Sequence, residues 1–231
     1  CIIDALVQYF PTDALVHRNP YLYLDDIDQI ISQRIDSTSL SNDKPSGNYP
    51  MFELSDLLNH DAVIEYPTVS FDAYLRFIYL ASLDFSVDSI SICLYRIGDN
   101  PIIFYILRDA VRRGKVVTVN IELQASGEQI NRFWVREMKR AGIDVVTYAD
   151  GYLKIHSKLT LVTFTDGRSI TQVGTGNYHW QTTDAYTDIS YFTSDSGICG
   201  SVGNLFNVLR QGDDEPVTFD TQLLVTGYNA R

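Results

Sequence analysis

The chain has 231 residues, of which 45% are hydrophobic and 12% aromatic, enough to build a buried core. Its 29 acidic residues outnumber the 18 basic ones, and the formal net charge of −11 argues against broad electrostatic binding of nucleic acid or of an anionic membrane surface. No apolar run approaches the roughly eighteen residues that a membrane span needs. Because the chain is acidic overall, a polyanionic substrate would need the few basic residues to lie together at one place.

The N-terminal part predicts a boundary between two domains. A helix is predicted to begin near Asp25, because acidic residues favour a helix N-terminus. Residues 36–50 are rich in Ser, Asn, Pro and Gly, which is typical of a loop or linker. The chain starts at Cys1 with neither an initiator Met nor a basic leader, so we expect it to be a piece of a longer protein.

The three cysteines predict no metal site and no disulfide framework. They stand at positions 1, 93 and 199, which is not a metal-binding spacing. Cys93 lies within an apolar run, where a reduced thiol is the expected state. We therefore expect a cytoplasmic protein.

From residue 61 the pattern alternates between strands and helices. Short apolar runs predict strands, and apolar residues three and four apart predict helices. The predicted strands are 61–66, 87–94, 115–123 and 143–148, and the predicted helices are 71–83, 102–113 and 129–141. This order predicts an α/β sandwich. From Leu153 the pattern becomes strand–turn–strand over 159–164 and 170–173, which adds an antiparallel portion and makes the sheet mixed; a helix over 196–209 and a last strand over 221–225 follow.

A histidine between two lysines is the main candidate for chemistry. Lys154, His156 and Lys158 precede the strand 159–164, and a glycine-rich turn containing Asn177 follows the next apolar run. Imidazole is a nucleophile near neutral pH, lysine supplies charge for phosphate oxygens, and glycines let backbone N–H groups approach phosphate. The alternative is a histidine on an edge strand, bonded to a carbonyl beside an ordinary turn.

Arg96 is a second candidate for phosphate binding. It directly follows the predicted strand 87–94, and ligands of doubly wound sheets collect where strands end. Its guanidinium could hold phosphate in a bidentate manner. The alternative is a surface salt bridge with Asp99.

The order of many short motifs resembles the polyphosphate kinase family from about residue 5 to the end of the chain. The motifs are Ser70-Phe71-Asp72, Leu94-Tyr95-Arg96, Gly114-Lys115, Glu122-Leu123-Gln124-Ala125, Ala141-Gly142, Lys154-Ile155-His156-Ser157-Lys158, Gly174-Thr175-Gly176-Asn177-Tyr178 and Tyr186-Thr187-Asp188. The resemblance implies an α/β fold with a phospholipase-D-like mixed sheet flanked by helices. It also implies the end of a head domain at 1–43, a first catalytic domain at 44–220 and the start of a second at 221–231.

The resemblance implies an activity and a set of site residues. The activity is transfer of the terminal phosphate of ATP to inorganic polyphosphate through a phosphohistidine on His156. Lys154, Lys158, Asn177 and Tyr186 match positions that contact ATP or phosphate, and Arg96 matches an arginine associated with Mg²⁺ through phosphate. The implied partners are ATP, ADP and polyphosphate, with no nucleic acid, and the full-length parent is expected to be a homo-oligomer.

Some positions depart from the family pattern. Ser126 and Asp184 stand where the family usually has basic residues. Thr163 replaces the Asp that completes the phospholipase-D motif, as is typical of polyphosphate kinases. Two other functions therefore stay open: a catalytically degenerate module that binds nucleotide or polyphosphate, and a phospholipase-D-like phosphodiesterase. The family's second essential histidine belongs to the second catalytic domain, so we expect the isolated fragment to lack full turnover.

Overall fold

The computed structural model describes residues 52–95, 101–123, 128–148, 155–178 and 185–211. The strands are β1 (Ala62–Tyr66), β2 (Val87–Leu94), β3 (Val116–Glu122), β4 (Asp144–Tyr148), β5 (Lys158–Phe164), β6 (Ser169–Gly174) and β7 (Asp188–Thr193). The helices are α1 (Leu54–Leu57), α2 (Asp72–Leu83), α3 (Pro101–Arg112), α4 (Glu128–Arg140) and α5 (Ser196–Gln211). No helix among these residues is long and apolar enough to cross a membrane.

The seven strands form one mixed sheet in the order β1-β7-β6-β5-β2-β3-β4. β2, β3 and β4 run parallel, joined by α3 and α4, whereas β5 lies antiparallel to β2 at the centre of the sheet. The remaining neighbours are all antiparallel pairs. The carboxyl ends of β2, β3 and β4 consequently lie at the same end of the sheet as the start of β5.

Helix α2 covers one face of the sheet through aromatic side chains. Its apolar residues recur three and four positions apart, so that Tyr74, Phe77 and Ile78 are fully buried. Phe77 meets Phe192 of β7 edge-on, with ring centroids 5.2 Å apart. Large aromatic surfaces of this kind contribute much of the burial that stabilises the fold.

Helix α5 covers the opposite face. Its apolar side chains pack with Cys93 of β2 and Leu159 of β5 in one buried cluster that includes Val202, Leu205, Phe206 and Leu209. Side chains alternate between the two faces of a strand, so Leu159 faces α5 while the adjacent Thr160 faces α2. The central strand β5 is thus buried on both sides.

The predicted elements between residues 61 and 211 are confirmed, with bounds that shift by one or two residues. The structure adds the short helix α1 and the strand β7, neither of which was predicted individually. Mixed strand directions and flanking helices confirm the predicted α/β class. The predicted helix near Asp25, the linker 36–50, the strand 221–225 and the domains 1–43 and 221–231 lie outside the described residues.

Candidate functional site

The candidate site lies at the end of the sheet where five strand ends meet. Pairing of Lys158 with Gly174 puts the start of β5 beside the end of β6. Pairing of Gly174 with Ser190 adds the start of β7, and the end of β2 lies beside β5 because Ile92 pairs with Thr160. The end of β3 is adjacent to that of β2. The register therefore brings His156, Lys158 and Asn177 to one end of the sheet.

His156 is exposed and is held against an aromatic ring. It lies two residues before β5, and its imidazole meets Tyr95 edge-on, with ring centroids 4.9 Å apart and an interplanar angle of 73°. Tyr95 directly follows β2 and directly precedes Arg96 in the chain. An exposed imidazole oriented by a neighbouring ring is accessible to a substrate, as a nucleophile must be.

Lys158 places a positive charge beneath His156. It is only 4% exposed, and its Nζ donates to the carbonyl oxygen of His156 at 2.6 Å. The same Nζ lies 5.4 Å from the centroid of the Tyr95 ring, within the range of a cation–π contact. His156, Tyr95 and Lys158 thus form one contiguous group.

Asn177 carries an acceptor that no protein group uses. Its Oδ1 is buried and has no hydrogen-bond partner. Buried polar atoms are nearly always paired in folded proteins, so an orphaned acceptor at a sheet end marks a place for a ligand, an ion or a water molecule. The sequence indicated Asn177 as a phosphate-contacting position through the family resemblance, but it did not reveal the buried, unpaired acceptor.

The two glycines of the turn accommodate side chains of the protein itself. A Cβ at Gly176 would come within 2.5 Å of Asp188 Oδ2, and one at Gly174 within 2.6 Å of Gln172 Nε2. Asp188 in turn accepts a hydrogen bond from Thr175 Oγ1 at 2.7 Å, which ties the turn to β7. Internal packing thus gives each glycine a structural reason, and the approach of their backbone N–H groups to phosphate stays a prediction.

A buried carboxylate and an amide hold the neighbouring strand ends together. Glu122 is 2% exposed, and its Oε2 accepts the backbone N–H of Ile155 at 3.0 Å, which links the end of β3 to the residue before His156. Asn131 Nδ2 of α4 donates to the carbonyl oxygens of Glu122 at 2.8 Å and Tyr95 at 3.3 Å. The role of Asn131 was missed in the sequence, because nothing local distinguishes it from a solvated helix residue.

Tyr186 lies at the same end of the sheet, where it presents an exposed aromatic ring. It precedes β7 by two residues and is 65% exposed. Its ring is therefore open to a planar ligand. Arg96 and Lys154, the other two predicted site residues, lie outside the described residues, as do Ser126 and Asp184.

The described residues contain no group of three or more His, Cys, Asp or Glu side chains that could hold a metal ion. Among the described residues, a metal at this end of the sheet would find few protein ligands and would rely on a substrate and on water. Mg²⁺ commonly binds in this way, through one or two protein oxygens and the phosphates of a nucleotide. Asn177 Oδ1 is one such protein oxygen that is not otherwise used.

Comparison with known proteins identifies the family. The family model described as "Polyphosphate kinase C-terminal domain 1" matches residues 53–215. Polyphosphate kinases of Salmonella typhimurium and Escherichia coli K12 are each 37% identical over 175 residues, and that of Vibrio parahaemolyticus is 38% identical. These matches cover 74% of this chain and 25% of each relative, so the chain spans about a quarter of their length.

Solved structures agree with this assignment. The crystal structure of polyphosphate kinase from Porphyromonas gingivalis superimposes with a TM-score of 0.63 at 29% identity, over 76% of this chain and 26% of that one. Nuc from Salmonella typhimurium, a phospholipase D family member, gives a TM-score of 0.51 at 17% identity, over 66% of this chain and 93% of that one. The second likeness shows the phospholipase-D-like fold alone. On the family match and the identity to its relatives, the chain belongs to the polyphosphate kinase family.

Proposed function

We propose that this chain is the part of a polyphosphate kinase that receives the terminal phosphate of ATP on His156 and passes it to inorganic polyphosphate. The observation that carries the proposal is that the group of His156, Tyr95 and Lys158 and the orphaned Oδ1 of Asn177 lie at the same end of the sheet. Membership of the family supplies the reaction class.

The proposed reaction has two phosphoryl transfers. A ring nitrogen of neutral His156 attacks the γ-phosphorus of ATP, the new N–P bond forms as the bridging P–O bond breaks, and ADP leaves. The terminal oxygen of a polyphosphate chain then attacks the same phosphorus, the N–P bond breaks, and the chain is one phosphate longer. Catalysis of such transfers depends mainly on positioning and on stabilisation of phosphate charge.

The cations near His156 fit that requirement. Lys158 Nζ lies within hydrogen-bond distance of the His156 backbone and keeps its charge close to the reacting group. Arg96 directly follows Tyr95 and Lys154 lies two residues before His156, and we assign both to phosphate contacts. The exposed ring of Tyr186 is assigned to the nucleotide.

Mg²⁺ fits the site as an ion bound chiefly by phosphate. When bound it would screen the phosphate charges, which is the usual contribution of the ion to phosphoryl transfer. We assign Asn177 Oδ1 as the candidate protein oxygen and Arg96 as the residue that holds the metal-bound phosphate.

The test is phosphorylation by ATP labelled at its γ-phosphate, in the full-length parent with Mg²⁺. We expect an acid-labile, base-resistant label on His156 that is lost in His156→Gln. The matched control is His60→Gln, since His60 is exposed and precedes β1, at the opposite end of the sheet. ATP binding without label would favour the degenerate binding module, and cleavage of a phosphodiester would favour the phosphodiesterase; either result would overturn the proposal.

A further inference from the structure

A row of buried polar side chains lies beneath the candidate site on the α2 face of the sheet. Its members are Tyr74, Thr160, Gln172, Tyr178 and Ser190, each at most 4% exposed. Tyr74 belongs to α2, and the others belong to β5, β6, the turn after β6, and β7. We call these five residues the tyrosine network.

Each step of the tyrosine network is a hydrogen bond. Tyr178 donates its only hydroxyl proton to Gln172 Oε1. At Thr160 Oγ1, 3.2 Å away, Tyr178 must therefore accept, and Thr160 in turn accepts from the hydroxyl of Tyr74 at 2.8 Å. Gln172 Nε2 donates onward to Ser190 Oγ at 2.9 Å. One proton order thus gives a partner to each of the three hydroxyls, those of Tyr74, Thr160 and Tyr178, and to the amide oxygen of Gln172.

The two phenol rings add a stacking contact. Tyr74 and Tyr178 lie nearly parallel, with centroids 4.4 Å apart and an interplanar angle of 6°. Burial raises the pKa of both phenols above the ordinary value, so both keep the protons that the network needs. Buried polar groups that are fully paired rigidify and specify one arrangement of a core.

The network is connected to the site residues through the backbone. Tyr178 directly follows Asn177, Thr160 lies two residues after Lys158 on the same face of β5, and Gln172 occupies the space next to Gly174. Asn177 Oδ1 makes no hydrogen bond of its own. With no hydrogen bond at this oxygen, the placement of the Asn177 side chain depends on its backbone, which the buried Tyr178 anchors.

We propose that Tyr178 and Tyr74 are positioning residues. From the α2 face of the sheet, they hold Asn177 in place for the transferring phosphate. The inference rests on the proposed function and adds two residues that touch neither substrate nor metal. The predicted signature is that Tyr178 acts only through Asn177. A residue with a merely structural role would instead act independently of Asn177.

The test is a double-mutant cycle in the full-length parent, with the initial rate of His156 labelling as the readout. Tyr178→Phe keeps the ring stack and removes one hydroxyl, and we expect labelling to slow about 10-fold, because small misplacements of a positioning group are costly. In an Asn177→Ala background the same change should have no further effect. Tyr191→Phe is the matched control, since its hydroxyl bonds Asp61 at 2.6 Å just before β1, far from the site.

Several outcomes would overturn the inference. They are a wild-type labelling rate in Tyr178→Phe, equal losses in Tyr178→Phe and Tyr191→Phe, and independent effects of Tyr178→Phe and Asn177→Ala. If Tyr178→Phe does not fold, Tyr74→Phe replaces it in the same cycle, with the same expectation of non-additivity.

ATP affinity measured on the same proteins separates this inference from the proposed function. A wild-type parent that binds ATP without labelling His156 would contradict the proposed function alone. In that case ATP affinity, rather than the labelling rate, would be the quantity measured in the double-mutant cycle. A loss in Tyr178→Phe that disappears in the Asn177→Ala background would support the tyrosine network, and any additive result would refute it.

Discussion

The residues of the site differ in how far the sequence revealed them. His156, Lys158 and Asn177 were predicted to share one end of the sheet because a short connection joins the strands that carry them, and the hairpin of β5 and β6 places them there. The contact of His156 with Tyr95 and the orphaned Oδ1 of Asn177 depend on strands that are distant in the chain. Local patterns do not carry such information, because pairing of β2 with β5 is decided by the whole core.

Adding a single Cβ at Gly176 tests how tightly the turn is packed. Gly176→Ala puts a Cβ within 2.5 Å of Asp188 Oδ2 and should displace the carboxylate that Thr175 bonds. We expect a loss of about 1–3 kcal/mol in the free energy of unfolding, the usual cost of overpacking. Chemical denaturation of the 231-residue chain measures it.

The control for Gly176 is a glycine with free space. A Cβ at Gly200, inside α5, would meet nothing within 4 Å. Gly200→Ala should therefore leave stability unchanged or raise it by up to about 1 kcal/mol, because Ala favours a helix interior over Gly. Similar effects of the two substitutions would contradict the packing explanation of the turn.

At the level of elements, periodicity predicted the strands and helices but not their arrangement. Helices α2, α3 and α4 were each predicted to within one residue of their ends, because their apolar residues recur at helical spacing. β7 was not predicted as a strand: its pattern is short and lies between a turn and α5. The order β1-β7-β6-β5-β2 also places β1 beside the last strand of the sheet rather than beside β2. Such pairings over long sequence separations cannot be read from local composition.

The hydrogen bonds that join α4 to the ends of β2 and β3 can be tested by substitution. Asn131→Ala removes the donor that bonds the carbonyl oxygens of Glu122 and Tyr95. We expect the free energy of unfolding to fall by about 1–3 kcal/mol, since buried acceptors lose their partner. Arg136→Ala, at an exposed position of the same helix, should change stability by less than about 0.5 kcal/mol. Equal losses in the two variants would show that Asn131 does not hold the strand ends.

For the molecule as a whole, buried thiols and phenols predict a loss of stability at alkaline pH. Burial raises the pKa of Cys93 to about 12, with a smaller opposing effect from a hydrogen bond to Ser157, and raises that of Tyr66 to about 12. Such a group keeps its proton in the folded state at a pH where the unfolded chain has lost it. Stability is therefore complete below about pH 9 and declines as pH rises towards 12.

Two variants test whether the Cys93 thiol causes part of this decline in stability. Each such group contributes about 1.4 kcal/mol per pH unit between its unfolded and folded pKa values. Cys93→Ala should reduce the slope of the unfolding free energy against pH by that amount between about pH 9.5 and 11.5. Val202→Ala, in the same buried cluster, should lower stability equally at every pH and leave the slope unchanged. An unaltered slope in Cys93→Ala would refute the role of the thiol.

The length of the chain predicts that it does not work alone. It covers 25% of a polyphosphate kinase that is 37% identical to it, and the resemblance assigns the family's second essential histidine to a second catalytic domain. Without that group the leaving nucleotide loses general acid assistance, which typically contributes 10²–10⁴-fold to a rate. We expect the 231-residue chain to label His156 slowly in a single turnover but to fail in sustained polyphosphate synthesis. ATP-dependent polyphosphate formation by this chain and by its full-length parent, at equal concentrations, decides the point. Turnover by the chain within about tenfold of the parent would exceed what loss of a general acid permits, and would place the whole catalytic machinery at the sheet end that carries His156.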